Sequence, residues 1–134
     1  MKKRTFLAIL ALTLCFAFAA CGETEEPIDP NYTGSSIVIT SLTEIAGEKP
    51  DSVKEDDTSI TYIYEVKDGK VGAAAYNLYK DYLDANFTYS SIDSTYVAEG
   101  FCAVYYAAND GRIEYTETVN EKDGSYMISV CVPK

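Results

Sequence analysis

Val71-Gly72-Ala73-Ala74-Ala75-Tyr76-Asn77-Leu78-Tyr79-Lys80-Asp81-Tyr82-Leu83-Asp84-Ala85 is the stretch from which the architecture of this chain is read. Asn77, Lys80, Asp81 and Asp84 fall at i, i+3, i+4 and i+7, which puts them on one polar face of a helix. Ala74, Ala75, Leu78, Tyr79, Tyr82 and Leu83 form the opposing apolar stripe. Three consecutive alanines let such a helix lie close to a sheet. Asn86 is placed to take a left-handed cap, with Phe87 folding back onto the last turn.

The sequence on either side changes period. Ile60, Tyr62, Tyr64 and Val66 alternate with Thr61, Ile63 and Glu65, which predicts a strand, and Lys67-Asp68-Gly69-Lys70 turns the chain into the helix. Three strands are expected after it. The first is the Tyr-, Val- and Phe-rich run Thr95 to Ala107, the second is Arg112 to Val119, and the third is Tyr126 to Val132. Asn109-Asp110-Gly111 and Lys122-Asp123-Gly124 supply the turns between them. The expectation is an α+β fold: a small antiparallel sheet (strand, helix, three-strand meander) with one main helix packed on one face. Upstream, Ile37-Val38-Ile39 reads as an edge strand. Ser41-Leu42-Thr43-Glu44 matches a capping box for a short helix that Gly47 closes. Lys49-Pro50-Asp51 prevents that helix from continuing, and the charged stretch from Val53 to Thr58 reads as a loop.

The N-terminus speaks to location. Lys2-Lys3-Arg4 precedes the apolar run Phe6 to Ala20, whose 15 residues are too few to span a bilayer. Phe18-Ala19-Ala20-Cys21 resembles the lipobox of bacterial lipoproteins, with Phe18 where leucine is usual. The expectation is a lipoprotein signal peptide over residues 1–20, with Cys21 as the lipidated first residue of the mature chain. The competing reading is an ordinary secretory signal cut after Ala19. Residues 21–35, with four acids, two prolines and two glycines, read as a flexible tether below a single domain at 36–134. Cell-envelope, extracytoplasmic localisation follows, with the membrane as a partner through the lipid on Cys21. The 134 residues carry a formal charge of −10, and the leader holds three basic residues and no acid, so the remaining 114 residues carry −13. Such a domain repels nucleic-acid backbones and anionic lipid heads, which excludes nucleic acid as a partner and leaves membrane attachment to the acyl chains.

Tyr62-Ile63-Tyr64, then Tyr76-Asn77-Leu78-Tyr79-Lys80-Asp81-Tyr82-Leu83, then Asn86-Phe87, resembles a pattern in small cell-envelope lipoproteins of Gram-positive anaerobes. There a Tyr-x-Tyr strand precedes a helix that ends in Leu and a Gly-Phe or Gly-Tyr pair; Asn86 stands here for that glycine. The likeness covers roughly the last two-thirds of the mature chain. It implies a fold and no activity.

Chemical motifs are sparse. The chain has no histidine, which removes Ser-His-Asp and Cys-His catalysis and the commonest zinc ligand. No glycine-rich phosphate loop occurs, and the three Asp-Gly pairs read as turns rather than metal loops. No catalytic residue, metal ligand or cofactor is therefore assigned. Cys102 and Cys131 fall on the outer strands of a simple meander, about 9.5 Å apart and beyond disulfide reach. They could bridge if their strands paired directly. The chain has 12 tyrosines and no tryptophan. Half-buried sheet faces account for many tyrosines. The sharper reading is an interaction face built from Tyr62, Tyr64, Tyr105, Tyr106, Tyr115 and Tyr126 that docks an envelope protein or glycan. The functional expectation is a non-catalytic binding module. The alternative is a carboxylate-based hydrolase acting on envelope polymer, which would require a concave site with two shielded carboxylates.

Overall fold

The structure, a computed structural model, describes residues 29–90, 95–109 and 111–134. The leader, Cys21 and most of the acidic tether lie outside the described residues. The elements in chain order are α1 (Leu42–Ala46), β1 (Ser52–Glu55), β2 (Ser59–Val66), α2 (Gly69–Asn86), β3 (Thr88–Tyr89), β4 (Tyr96–Ala98), β5 (Phe101–Ala108), β6 (Gly111–Val119) and β7 (Tyr126–Pro133).

The α+β expectation is corrected. Among the described residues the fold is mostly antiparallel sheet, with 44% strand against 23% helix and a single long helix. All seven strands join one sheet in the order β1-β2-β7-β6-β5-β3, with β4 also on β5. Strands β1 and β3 are absent from the sequence expectation, and β4 is merged there with β5, for one reason. Every residue of β1, β3 and β4 is exposed, so no apolar alternation marks them. Backbone pairing to β2 and β5 alone makes them strands. The stretch read as a loop from Val53 therefore begins inside β1. The run expected as one strand from Thr95 to Ala107 is a hairpin of β4 and β5, broken at Gly100, whose φ of 67° is left-handed. Ile37 to Ile39 is not a strand: only a bridge between Asn31 and Thr40 forms there, and Ile39 is buried while Val38 is exposed.

Helix α2 starts where the side chain of Asp68 accepts hydrogen bonds from the backbone N–H groups of Lys70 and Val71. It ends at Phe87 in extended conformation, and among the described residues no non-glycine residue has positive φ, so Asn86 does not form the expected left-handed cap. Its buried residues are Gly72, Ala75, Tyr76, Tyr79 and Leu83. Ala74 and Leu78, expected in the stripe, are exposed. The face is turned toward Tyr76, whose ring stacks on Tyr115 of β6 at 4.6 Å and 11°. Gly72 makes this approach possible, because a Cβ there would sit 2.4 Å from Tyr126 Cβ. Helix α1 forms as the capping box requires, with Ser41 Oγ accepting from Glu44 N and Gly47 left-handed at φ 77°.

The core lies between α2 and one sheet face, closed at the side by the segment from Tyr32 to Leu42. Tyr32, inside the stretch read as tether, is buried there. Tyr79 Oη donates to the Thr40 carbonyl at 2.8 Å, and Thr40 N donates to Tyr82 Oη at 2.9 Å. These bonds tie the N-terminal segment to the helix.

Candidate interaction site

Paired residues on neighbouring strands share a face. Register therefore sorts the sheet into a helix side and an open side. Ile60, Tyr64, Tyr106, Tyr115, Ile128 and Val130 point to the helix. On the open side, one row runs Ala98, Phe101, Thr118, Met127 and Glu65 across the strands. The next runs Tyr96, Ala103, Thr116, Ser129 and Ile63, and a third runs Tyr105, Glu114, Cys131 and Thr61. Both described helices lie on the other side, with the core.

The six tyrosines expected to form one interaction face are divided by this sorting. Tyr64, Tyr106 and Tyr115 are fully buried in the core and cannot present a surface. Tyr62 and Tyr126 are half-buried on the helix side; Tyr62 stacks on Tyr32 at 4.1 Å. Only Tyr105 of the six lies on the open side, where the Arg112 guanidinium sits 4.7 Å from its ring centroid. The side-chain period of a strand is two, so tyrosines of opposite parity never share a face. Tyr105-Tyr106 had one member on each side for this reason. The open side instead gains Tyr96, Phe101 and Met127, which the sequence reading did not select. Tyr96 is 58% and Met127 39% exposed, and the Tyr96 and Phe101 rings lie 6.1 Å apart. Parity with Tyr105 was the signal that could have found Phe101.

The open side pairs small hydroxyls with this aromatic margin. At its centre buried Thr116 and half-buried Ser129 share a hydrogen bond between their hydroxyls, flanked by half-buried Thr61 and Thr118. Its acids Glu65 and Glu114 are matched by Arg112 and by Lys54 of β1. The face is close to neutral in a chain whose portion after the leader carries −13.

The buried phenols hold the other side together. Tyr32 and Tyr64 hydroxyls share a hydrogen bond of 2.7 Å, and Tyr115 Oη donates to the Tyr76 carbonyl at 2.8 Å. Burial raises the phenols of Tyr32, Tyr64, Tyr76, Tyr79, Tyr106 and Tyr115 above their ordinary range. Burial, then the hydrogen bond with Glu117, pushes Tyr126 up to about 12.

Among the described residues three carboxyls are displaced, all downward. Hydrogen bonds from Thr58 and Ser59 lower exposed Asp56 to about 2. Bonds from Ser125 lower Asp123. Partial burial raises Asp84, but hydrogen bonds from Lys80, Tyr106 and Tyr89 outweigh it and hold the group low. All three therefore stay ionised at neutral pH, which suits turn-forming and bridging acceptors. A depression of about 620 Å³ at the end of the sheet brings Glu65 and Asp123 to one rim. Both are exposed, without the shielding that a carboxylate-based hydrolysis needs. Among the described residues no three histidine, cysteine, aspartate or glutamate side chains gather closely enough to hold a metal ion. Cys102 and Cys131 are free. Strand β6 separates them, and Cys102 lies on the helix side while Cys131 lies on the open side.

Comparison of the chain with protein-family models, with curated proteins and with solved structures gave no match. Among the described residues no helix is long and apolar enough to cross a membrane.

Proposed function

We propose that this is a cell-envelope lipoprotein, held to the membrane by lipid on Cys21, whose domain is a non-catalytic module that binds an envelope protein or glycan on the open side of its sheet. The observation that carries the reading is the face itself: near-neutral, rich in small hydroxyls, and bordered by Tyr96, Phe101, Tyr105 and Met127. Aromatic rings beside adaptable hydroxyls give contact area at low entropic cost and suit both protein and sugar surfaces. The Phe18-Ala19-Ala20-Cys21 lipobox and the resemblance to small lipoproteins of Gram-positive anaerobes support the location.

A photocrosslinking residue placed at Tyr105, and separately at exposed Asp81 on α2, tests the binding face in intact cells. The expected result is a discrete adduct from position 105 and none from 81. Equal labelling from both positions, or none from 105, refutes the face. For the anchor, Cys21→Ser should release the chain from the membrane fraction. Retention there would overturn lipid attachment.

A further inference from the structure

We propose that two copies of this chain associate through the outer edge of β4, continuing the sheet across a two-fold axis at Val97. The inference is independent of what the open face binds.

One margin of the sheet is β1; the other is shared by β3 and β4, which pair with different parts of the same edge of β5. Strand β1 carries Lys54 and Glu55 and runs into Asp56-Asp57. Charges on an edge strand block the approach of another strand. Strand β4 is Tyr96-Val97-Ala98, without a charge, and among the described residues it pairs only with β5. Val97 is 68% exposed. An uncharged, apolar, unpaired edge is the kind that accepts a further strand.

The sequence of β4 fits its own copy. In an antiparallel pairing centred on Val97, each Val97 faces the other, Tyr96 faces Ala98 of the second copy, and Thr95 faces Glu99 of the second copy. The large ring lies over the small side chain on the open side, and two β-branched residues meet on the other, so apolar groups face apolar groups across the junction. No acid opposes an acid, which matters for a domain this negative. Tyr96 is already braced against Phe101, so its ring is held on the open side where it would cross the junction. The arrangement is isologous and closes at two copies.

The test is sedimentation of the full chain in detergent over a range of concentrations. The expected result is a monomer–dimer equilibrium that Val97→Lys abolishes, because two lysines then oppose each other on the axis. Val53→Lys, on the charged β1 edge, should leave it intact. Val97→Cys should form a disulfide-linked dimer on mild oxidation above the wild-type background, and Val53→Cys should not. This crosslink decides the matter if Val97→Lys disturbs the fold. A chain monomeric at every concentration overturns the proposal. So does a dimer that survives Val97→Lys, one lost equally in both lysine variants, or equal crosslinking from both cysteines.

Discussion

Gly72→Ala should destabilise this protein, although the same change in an ordinary helix stabilises. Alanine exceeds glycine in helix propensity by about 1 kcal/mol. Gly72 lies in the second turn of α2, where that gain would normally be realised. The structure reverses the sign. The added Cβ would stand 2.4 Å from Tyr126 Cβ and 2.7 Å from its Cγ, atoms fixed close to the β7 backbone rather than at the end of a flexible chain. Restoring an ordinary contact requires the first turns of α2 to lift by about 1 Å, which forfeits a quarter to a half of the dispersion energy of the contacts that open. Those contacts include the stack of Tyr76 on Tyr115. Overpacking of this kind costs about 1–3 kcal/mol. After the propensity gain, the net loss is up to about 2 kcal/mol, equivalent to a fall of up to roughly 15 °C in melting temperature for a domain of this size. Urea unfolding and thermal melts followed by circular dichroism would measure it. A melting temperature equal to or above that of the wild type would refute the close approach of helix and sheet at Gly72.

Three further outcomes are expected. Tyr79→Phe keeps the shape of the ring but leaves the Thr40 carbonyl without its donor, at a cost of about 1–3 kcal/mol in urea unfolding; an unchanged midpoint would show that this bond does not hold the N-terminal segment. Asp84→Ala deprives the buried Tyr106 hydroxyl of its acceptor at 2.7 Å and should cost about 1–3 kcal/mol, whereas Asp84→Asn retains an acceptor oxygen and should cost less; equal midpoints for the two would refute the role of that bond. Buried phenols raised in the folded state contribute stability that is complete below the unfolded value of about 10 and is lost as pH rises through the folded values, at about 1.4 kcal/mol per pH unit for each phenol still neutral. Alkaline titration should therefore show phenolate absorbance from these groups appearing together with loss of secondary structure. Ionisation of all the tyrosines near pH 10 with the fold intact would contradict the buried cluster.

What could be read from the chain alone was whatever burial writes into local pattern. The strands at Ile60 to Val66, Arg112 to Val119 and Tyr126 to Val132 alternate because one side of each meets the core, and the α2 stretch shows a polar face because the other face packs. The Ser41 cap and the left-handed Gly47 are local devices whose chemistry sits within a few residues. Tertiary structure decided the rest. Strands β1, β3 and β4 exist through hydrogen bonds to partner strands, which leave no side-chain period, and with them the expected strand and three-strand meander become a seven-stranded, mostly β fold among the described residues. The candidate face followed the same division. Tyrosine content was visible, but its distribution depends on which side of the sheet α2 covers. That choice buries Tyr64, Tyr106 and Tyr115 and leaves Tyr105, Phe101, Tyr96 and Met127 on the open side. A period of two assigns residues to opposite faces; only the packing of the helix decides which of them meets water.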